Sequence, residues 1–147
     1  MSSLRLVSLS GVMDITDDEW LLPHEYATRM RSFPPVILGA PDRYTGYQSW
    51  VERMGGEIRV ELNVTFNLTP GDQSVKVNYD TKLFEGISEN TDDLDGQHIG
   101  SIIIDKDGAG EIKFTVKNTD EGGDKADIRM YVVNARFDQG ASGPPAR

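Results

Sequence analysis

Glu57–Leu68, EIRVELNVTFNL, is the stretch that decides the fold. Ile58, Val60, Leu62, Val64, Phe66 and Leu68 alternate with Glu57, Arg59, Glu61, Asn63, Thr65 and Asn67. Successive side chains of an extended chain point to opposite faces. Period-two alternation of this length therefore predicts a strand with one buried and one wet face. Thr69-Pro70-Gly71-Asp72-Gln73 follows as a turn, with Pro presetting φ and Gly relieving strain. Val75, Val77 and Tyr79 then alternate with Lys76, Asn78 and Asp80, and the pattern runs on through Thr81 and Leu83 to Phe84. The two runs read as a long hairpin.

Further along, Ile99–Ile104, the run Ile112, Phe114, Val116, and Ala126–Phe137 read as three more strands. Asp105–Gly110 is a tight turn between two of them, and 86–98 and 118–125 are acidic loops bearing glycine. Short strands at this spacing predict an all-β fold, an antiparallel β-sandwich that is C2-like or jelly-roll-like. Residues 1–56 are less regular. Leu4, Leu6, Val7 and Leu9 suggest a strand. Thr16-Asp17-Asp18-Glu19 fits a capping box, so a short helix or irregular segment is expected there. Pro34, Pro35 and Pro41 make 33–44 extended or looped. Ser49–Met54 is either a helical turn or, preferably, a strand whose Gly55-Gly56 turn feeds residue 57. The expected organisation is one sandwich domain over 1–137, its N-terminal third wrapping the sheets, and a flexible tail over 138–147.

With 147 residues the chain suits one domain able to bury a core unaided. It has no cysteine, so disulfides, thiolate zinc sites and thiol nucleophiles are excluded. No signal peptide or apolar run of membrane-spanning length is visible. The net charge of −9 argues against nucleic acid, and against an anionic membrane unless calcium bridges the two. That charge is uneven: residues 85–127 hold twelve acids against four bases.

If the strands alternate in direction, the turns at 69–73 and 105–110 fall at one end and both acidic loops at the other. The second end then gathers Glu89, Asp92, Asp93, Asp95, Asp120, Glu121 and Asp124. Calcium takes six to eight oxygen ligands, which these carboxylates with Asn90, Thr91, Asn118 and backbone carbonyls are able to supply. Solvated turn residues are the simpler account, because turns favour Asp, Asn and Gly for backbone reasons. Over 57–137 the arrangement resembles C2-type calcium-binding sandwiches, which also gather Asp from loops at one end. It departs from them in lacking their tighter Asp spacing. Asp105-Lys106-Asp107-Gly108 starts like an EF-hand loop, but Val116 stands where that pattern needs Glu.

Any histidine-based catalysis must use His24 or His98. His98 follows Asp95, with Ser88 and Ser101 nearby, but no nucleophile elbow surrounds either serine. His24 and Glu25, with Asp14, Asp17 and Asp18, form a possible His/carboxylate set. Neither carries a motif. Tyr44, Tyr47 and Trp50 cluster before the deciding strand and suit carbohydrate or peptide recognition, or packing over the sheet. The reading that follows is a non-enzymatic binding or assembly module, calcium-stabilised through its acidic loops. Its alternatives are a carbohydrate- or peptide-binding module and an enzyme of unstated reaction.

Overall fold

A computed structural model describes residues 4–18, 23–39, 41–86, 91–119 and 123–138. Nine strands occur in them: β1 (Leu4–Asp17), β2 (Glu25–Ser32), β3 (Val36–Leu38), β4 (Thr45–Met54), β5 (Ile58–Leu68), β6 (Val75–Glu85), β7 (Leu94–Ile104), β8 (Ala109–Lys117) and β9 (Lys125–Phe137). They form two antiparallel sheets. Sheet A has the order β2-β1-β9-β8, with β3 also on β1, and sheet B has the order β4-β5-β6-β7. The sheets pack as a β-sandwich.

The deciding stretch is β5, at the middle of sheet B. Its even-numbered residues from Ile58 to Leu68 are all buried, as the alternation requires. They face Val7, Leu9, Met13 and Ile15 of β1 and Ile128, Met130 and Val132 of β9 in one core. Burying each such side chain contributes roughly 1.5–3 kcal/mol. Trp50 of β4 is the largest fully buried side chain. Gly11 of β1 makes room for it, because a Cβ there would lie 2.7 Å from the indole ring.

The N-terminal third departs from expectation. It holds four strands, and there is no helix among the described residues. Thr16 and Asp17 do not cap a helix; they pair with Tyr26 and Glu25 as the end of β1. The ladder along β1 continues to Thr16 against β9, so tertiary pairing overrides the local capping signal. Glu19, the other half of the capping box, lies outside the described residues. Ser49–Met54 belongs to β4, and Gly55 and Gly56 turn into β5 with φ of 66° and 77°. Positive φ at both central positions is what a tight primed hairpin turn demands. The expected tail lies outside the described residues from 139 onward.

Two boundaries also move. β7 starts at Leu94 rather than Ile99, because Leu94–His98 continue the ladder to β6 across an irregularity at Leu83/Phe84. The first acidic loop is correspondingly shorter. The turn after Ile104 spans 105–108, and it carries the chain from sheet B to sheet A instead of closing a hairpin.

A polar clamp holds that end together. Arg5 is buried at 0% exposure and faces inward with Val7 and Leu9. Its Nε donates to Asn134 Oδ1 at 2.9 Å, and its Nη2 donates to Asn134 O at 3.0 Å and to Asp107 Oδ1 at 2.5 Å. Asn134 Nδ2 donates in turn to Gln73 O, Ile104 O and Asp105 O. β1, β9 and both turns are thereby joined. The Arg5 guanidinium holds the Asp107 carboxyl below its ordinary range. Replacing Asn134 by Leu leaves the buried Arg5 Nε and the carbonyls of both turns without their side-chain partner, and each buried polar group left unpaired typically costs about 1–3 kcal/mol. Asp107→Asn, at a side chain 60% exposed, should cost less, because solvent screens this pair. Urea unfolding of both variants checks this order, and equal losses would deny the clamp its central role.

Candidate functional site

The opposite end gathers acids. Glu85 ends β6, Asp95 lies near the start of β7, Asp124 precedes β9, and Asp17 ends β1. Asp17, Asp95 and Asp124 are all buried. The Glu85 carboxyl lies close enough to that of Asp124 to hydrogen-bond with it when one of the two is protonated. Two like charges at such a distance disfavour each other's ionised form. That contact, reinforced by burial and by the negative charge of Asp124, pushes Glu85 up to about 8. Asp95 adds to the rise, while a hydrogen bond donated by Asn118 Nδ2 opposes it.

The surrounding chain holds these groups in place. The Asp18 N–H donates to Asp124 Oδ1 at 2.6 Å, and the Asn118 N–H to Asp124 O at 3.0 Å. Thr119 donates to Asp95 O from both its N–H, at 2.8 Å, and its hydroxyl, at 3.0 Å. Glu25 Oε2 and Asp17 Oδ2 both approach Gly55, where a Cβ would stand 2.9 and 3.1 Å from them. So β1, β2, β6 and β7, together with the residue just before β9, deliver carboxyl groups to this end of the sandwich.

Of the residues expected to form the site, Asp95 and Asp124 do meet around Glu85. Asp92 and Asp93 are exposed; Asp93 contributes its carbonyl, which accepts from the Glu85 N–H at 3.2 Å. Glu89, Asp120 and Glu121 lie outside the described residues. Sequence reasoning missed Glu85, and it grouped Asp17, Asp18 and Glu25 with His24 and Asp14 as a separate set instead of placing them with Asp95 and Asp124. Asp17 had a usable signal, since it shares the inward parity of Met13 and Ile15. Among the described residues, no group of three or more His, Asp or Glu is arranged to hold a metal ion.

The aromatic trio does not form one surface. Trp50 is 1% exposed and donates from Nε1 to Glu52 Oε2 at 2.6 Å, so it belongs to the core. Tyr47 stands on the opposite face of β4 and is 77% exposed, while Tyr44 lies just before the strand. Parity along the strand imposes the split, because an odd and an even position point to opposite faces. His98 stacks on Phe114 at 4.6 Å and on Tyr79 at 5.8 Å, between rings rather than against a carboxylate. His24 Nδ1 lies 2.6 Å from Asp18 Oδ1. No helix of the described residues is long and apolar enough to cross a membrane.

Compared with models of known families, with curated proteins and with solved structures, the chain gives no match.

The Glu85–Asp124 contact has a pH signature of definite sign. Folded, Glu85 keeps its proton to about pH 8; unfolded, it releases it near 4.5. Between those values the folded state binds more protons, so stability falls as pH rises from about 4.5 to about 8 and then levels off. Thermal unfolding across this range should show that decline in the parent chain and a flatter curve in Glu85→Gln. Parallel curves would remove the pair as its source.

Proposed function

We propose that the chain is a non-enzymatic binding or assembly module whose acidic end takes up calcium. The observation that carries this reading is the gathering of Glu85 with the buried Asp124 and Asp95 at one end, close enough that both raise the Glu85 pKa. Like charges held together call for a proton or a cation. The connections meeting at this end supply Asp92 and Asp93 and, in sequence, Glu89, Asp120 and Glu121 as further hard oxygen donors. Bound calcium would order both connections and lock the starts of β7 and β9. It would compete with the proton on Glu85 for the same oxygens, so its effect should be larger at pH 8 than at pH 6.

Thermal unfolding in calcium against EDTA, at matched ionic strength, tests the proposal. A gain of about 2.7 kcal/mol is expected when calcium stands at 100 times its dissociation constant. Asp124→Asn and Asp93→Asn should each weaken the response. Asp72→Asn should leave it intact, since Asp72 is at the far end, accepting from the N–H and hydroxyl of Ser74. No calcium shift, or equal effects from all three substitutions, would return these acids to a solvated surface.

A second reading rests on the outer face of sheet B. There Tyr47, Thr65, Asn78 and Ser101 form one cross-strand row, and Ser49, Asn63 and Asp80 belong to the next. An exposed ring beside short hydroxyl and amide side chains suits a carbohydrate, which offers apolar ring faces and many hydroxyls. Glycan-array binding that is lost in Tyr47→Ala but kept in Tyr44→Ala would support it. Binding indifferent to Tyr47 would end it.

A further inference from the structure

Sheet edges are where a β-protein can meet another chain, and natural edges are blunted by charge, proline or cover. The edges here are β8, β2 and, beside β2 on β1, the three-residue β3 in sheet A, and β4 and β7 in sheet B; the shortness of β3 blunts it. β2 carries Arg29 and Arg31, β4 carries Glu52 and Arg53, and β8 carries Glu111, Lys113 and Lys117. β7 differs. From Gly96 to Ile104, GQHIGSIII, it contains no Asp, Glu, Lys, Arg or Pro. Its outer face carries Ile99 and Ile103, 68% and 64% exposed. Gly100 does not leave a gap on the inner face, because the Tyr79 ring fills the place of its missing side chain.

The ladder shows which backbone groups are free. In an antiparallel sheet the N–H and C=O of a residue face the same neighbour, and the direction alternates along the strand. The bond from the Thr69 N–H to Ser74 O closes the β5–β6 turn and makes these two a hydrogen-bonded pair. Even-numbered residues of β6 therefore face β5, and odd-numbered ones face β7. Since Val75 pairs with Ile104, Val77 with Ile102 and Tyr79 with Gly100, even-numbered residues of β7 bond to β6. The backbone groups of Gln97, Ile99, Ser101 and Ile103 thus point out from the open edge. No strand lies beyond them among the described residues.

We infer that β7 pairs antiparallel with β7 of a second copy of this chain, about a two-fold axis at Ser101. Two 4-stranded sheets then become one of eight strands. Ser101 exchanges both bonds with its mate, and each Ile99 exchanges both with Ile103 of the other copy, using the groups left free. The neighbouring register with the axis at Gly100 has the same hydrogen-bond parity but sets Ile99 against Ser101. The Ser101 register sets isoleucine against isoleucine twice, covering all four exposed side chains. It also sets Asp105 against Gln97 rather than against another acid. Self-pairing fits because a chain of net charge −9 meets itself here along a strand without a carboxylate between Gly96 and Ile104.

Ser101→Cys tests the axis directly. The chain has no cysteine, so one thiol reports one position. Paired residues on a two-fold axis lie about 5.5 Å apart at Cα, within disulfide reach. Ser49→Cys, on the outer face of the β4 edge, is the control. Under mild oxidation Ser101→Cys should couple roughly tenfold faster or more, as a preassembled pair has the higher effective concentration. Sedimentation of the parent chain should give twice 16.3 kDa. Ile103→Lys and Ser101→Pro should be folded monomers; proline is tolerated where the N–H faces outward. A monomeric parent with equal coupling of the two thiols would overturn the inference. So would a dimer that survives both edge substitutions, or one that forms only after truncation at Asp138, which would give the edge to the chain's own terminus.

Discussion

A single buried cation organises the closed end of this sandwich. Arg5 sits in the same inward row as Val7 and Leu9, where an unpaired charge would cost several kcal/mol. It is tolerated because Asn134, Asp107 and Gln73 ring it with acceptors. Meeting those bonds fixes the two turns at 69–74 and 105–108 relative to β1 and β9. The second of these turns is the point at which the chain leaves sheet B for sheet A. Among the described residues, the two non-glycine residues at positive φ, Gln73 and Asp107, are both partners of Arg5. The network thus offsets the backbone strain of the turns that supply it.

The other end inverts this logic. There the chain brings carboxyls together without an equal number of cations, and the proximity of Asp124 together with burial raises the Glu85 pKa, favouring its protonated form. The two ends therefore respond to pH with opposite signs. The contribution of Asp107 to folding is present above its ordinary value of 3.8 and is lost as pH falls through its depressed pKa. Glu85 withdraws stability as pH rises through the range above 4.5. Acid loosens the clamp, and base loosens the acidic end.

The sandwich was legible wherever one strand face is uniformly apolar. β5, β6, β8 and β9 follow from alternation alone, because their inward positions are mostly Ile, Val, Leu, Phe or Met. β1 was obscured by its own inward row, which includes Arg5, Gly11 and Asp17 beside Val7, Leu9, Met13 and Ile15. Each interruption has a structural reason: a clamp, room for Trp50, and a place in the acidic end. The start of β7 was hidden likewise, since Leu94–His98 is held by its ladder to β6 and not by an apolar face. For the candidate site, sequence reasoning grouped Asp95 with Asp124 but did not include the strand residue Glu85, whose pKa both of them raise. Glu85 belongs to a strand, and a search confined to acidic loops passes over it; Asp17, also in a strand, was grouped by sequence proximity with His24 and not with the loops that share its end.

β7 links the two features that the fold leaves incomplete. It begins at the acidic end, where both donors of Thr119 hold Asp95 O, and runs on as the uncharged edge from Gly96 to Ile104. The irregularity against Leu83 and Phe84 separates these two parts. Beyond it, parity is fixed by the ladder from Gly96 to Ile104, and at Ile104 the carbonyl is held by Asn134. The register of the edge is thus set from the clamped end. A cation at Asp95 and Asp124 would order the start of β7 without changing which backbone groups point outward at Ile99, Ser101 and Ile103. Pairing at this edge and cation uptake at the acidic end are therefore physically separable, although one strand carries both.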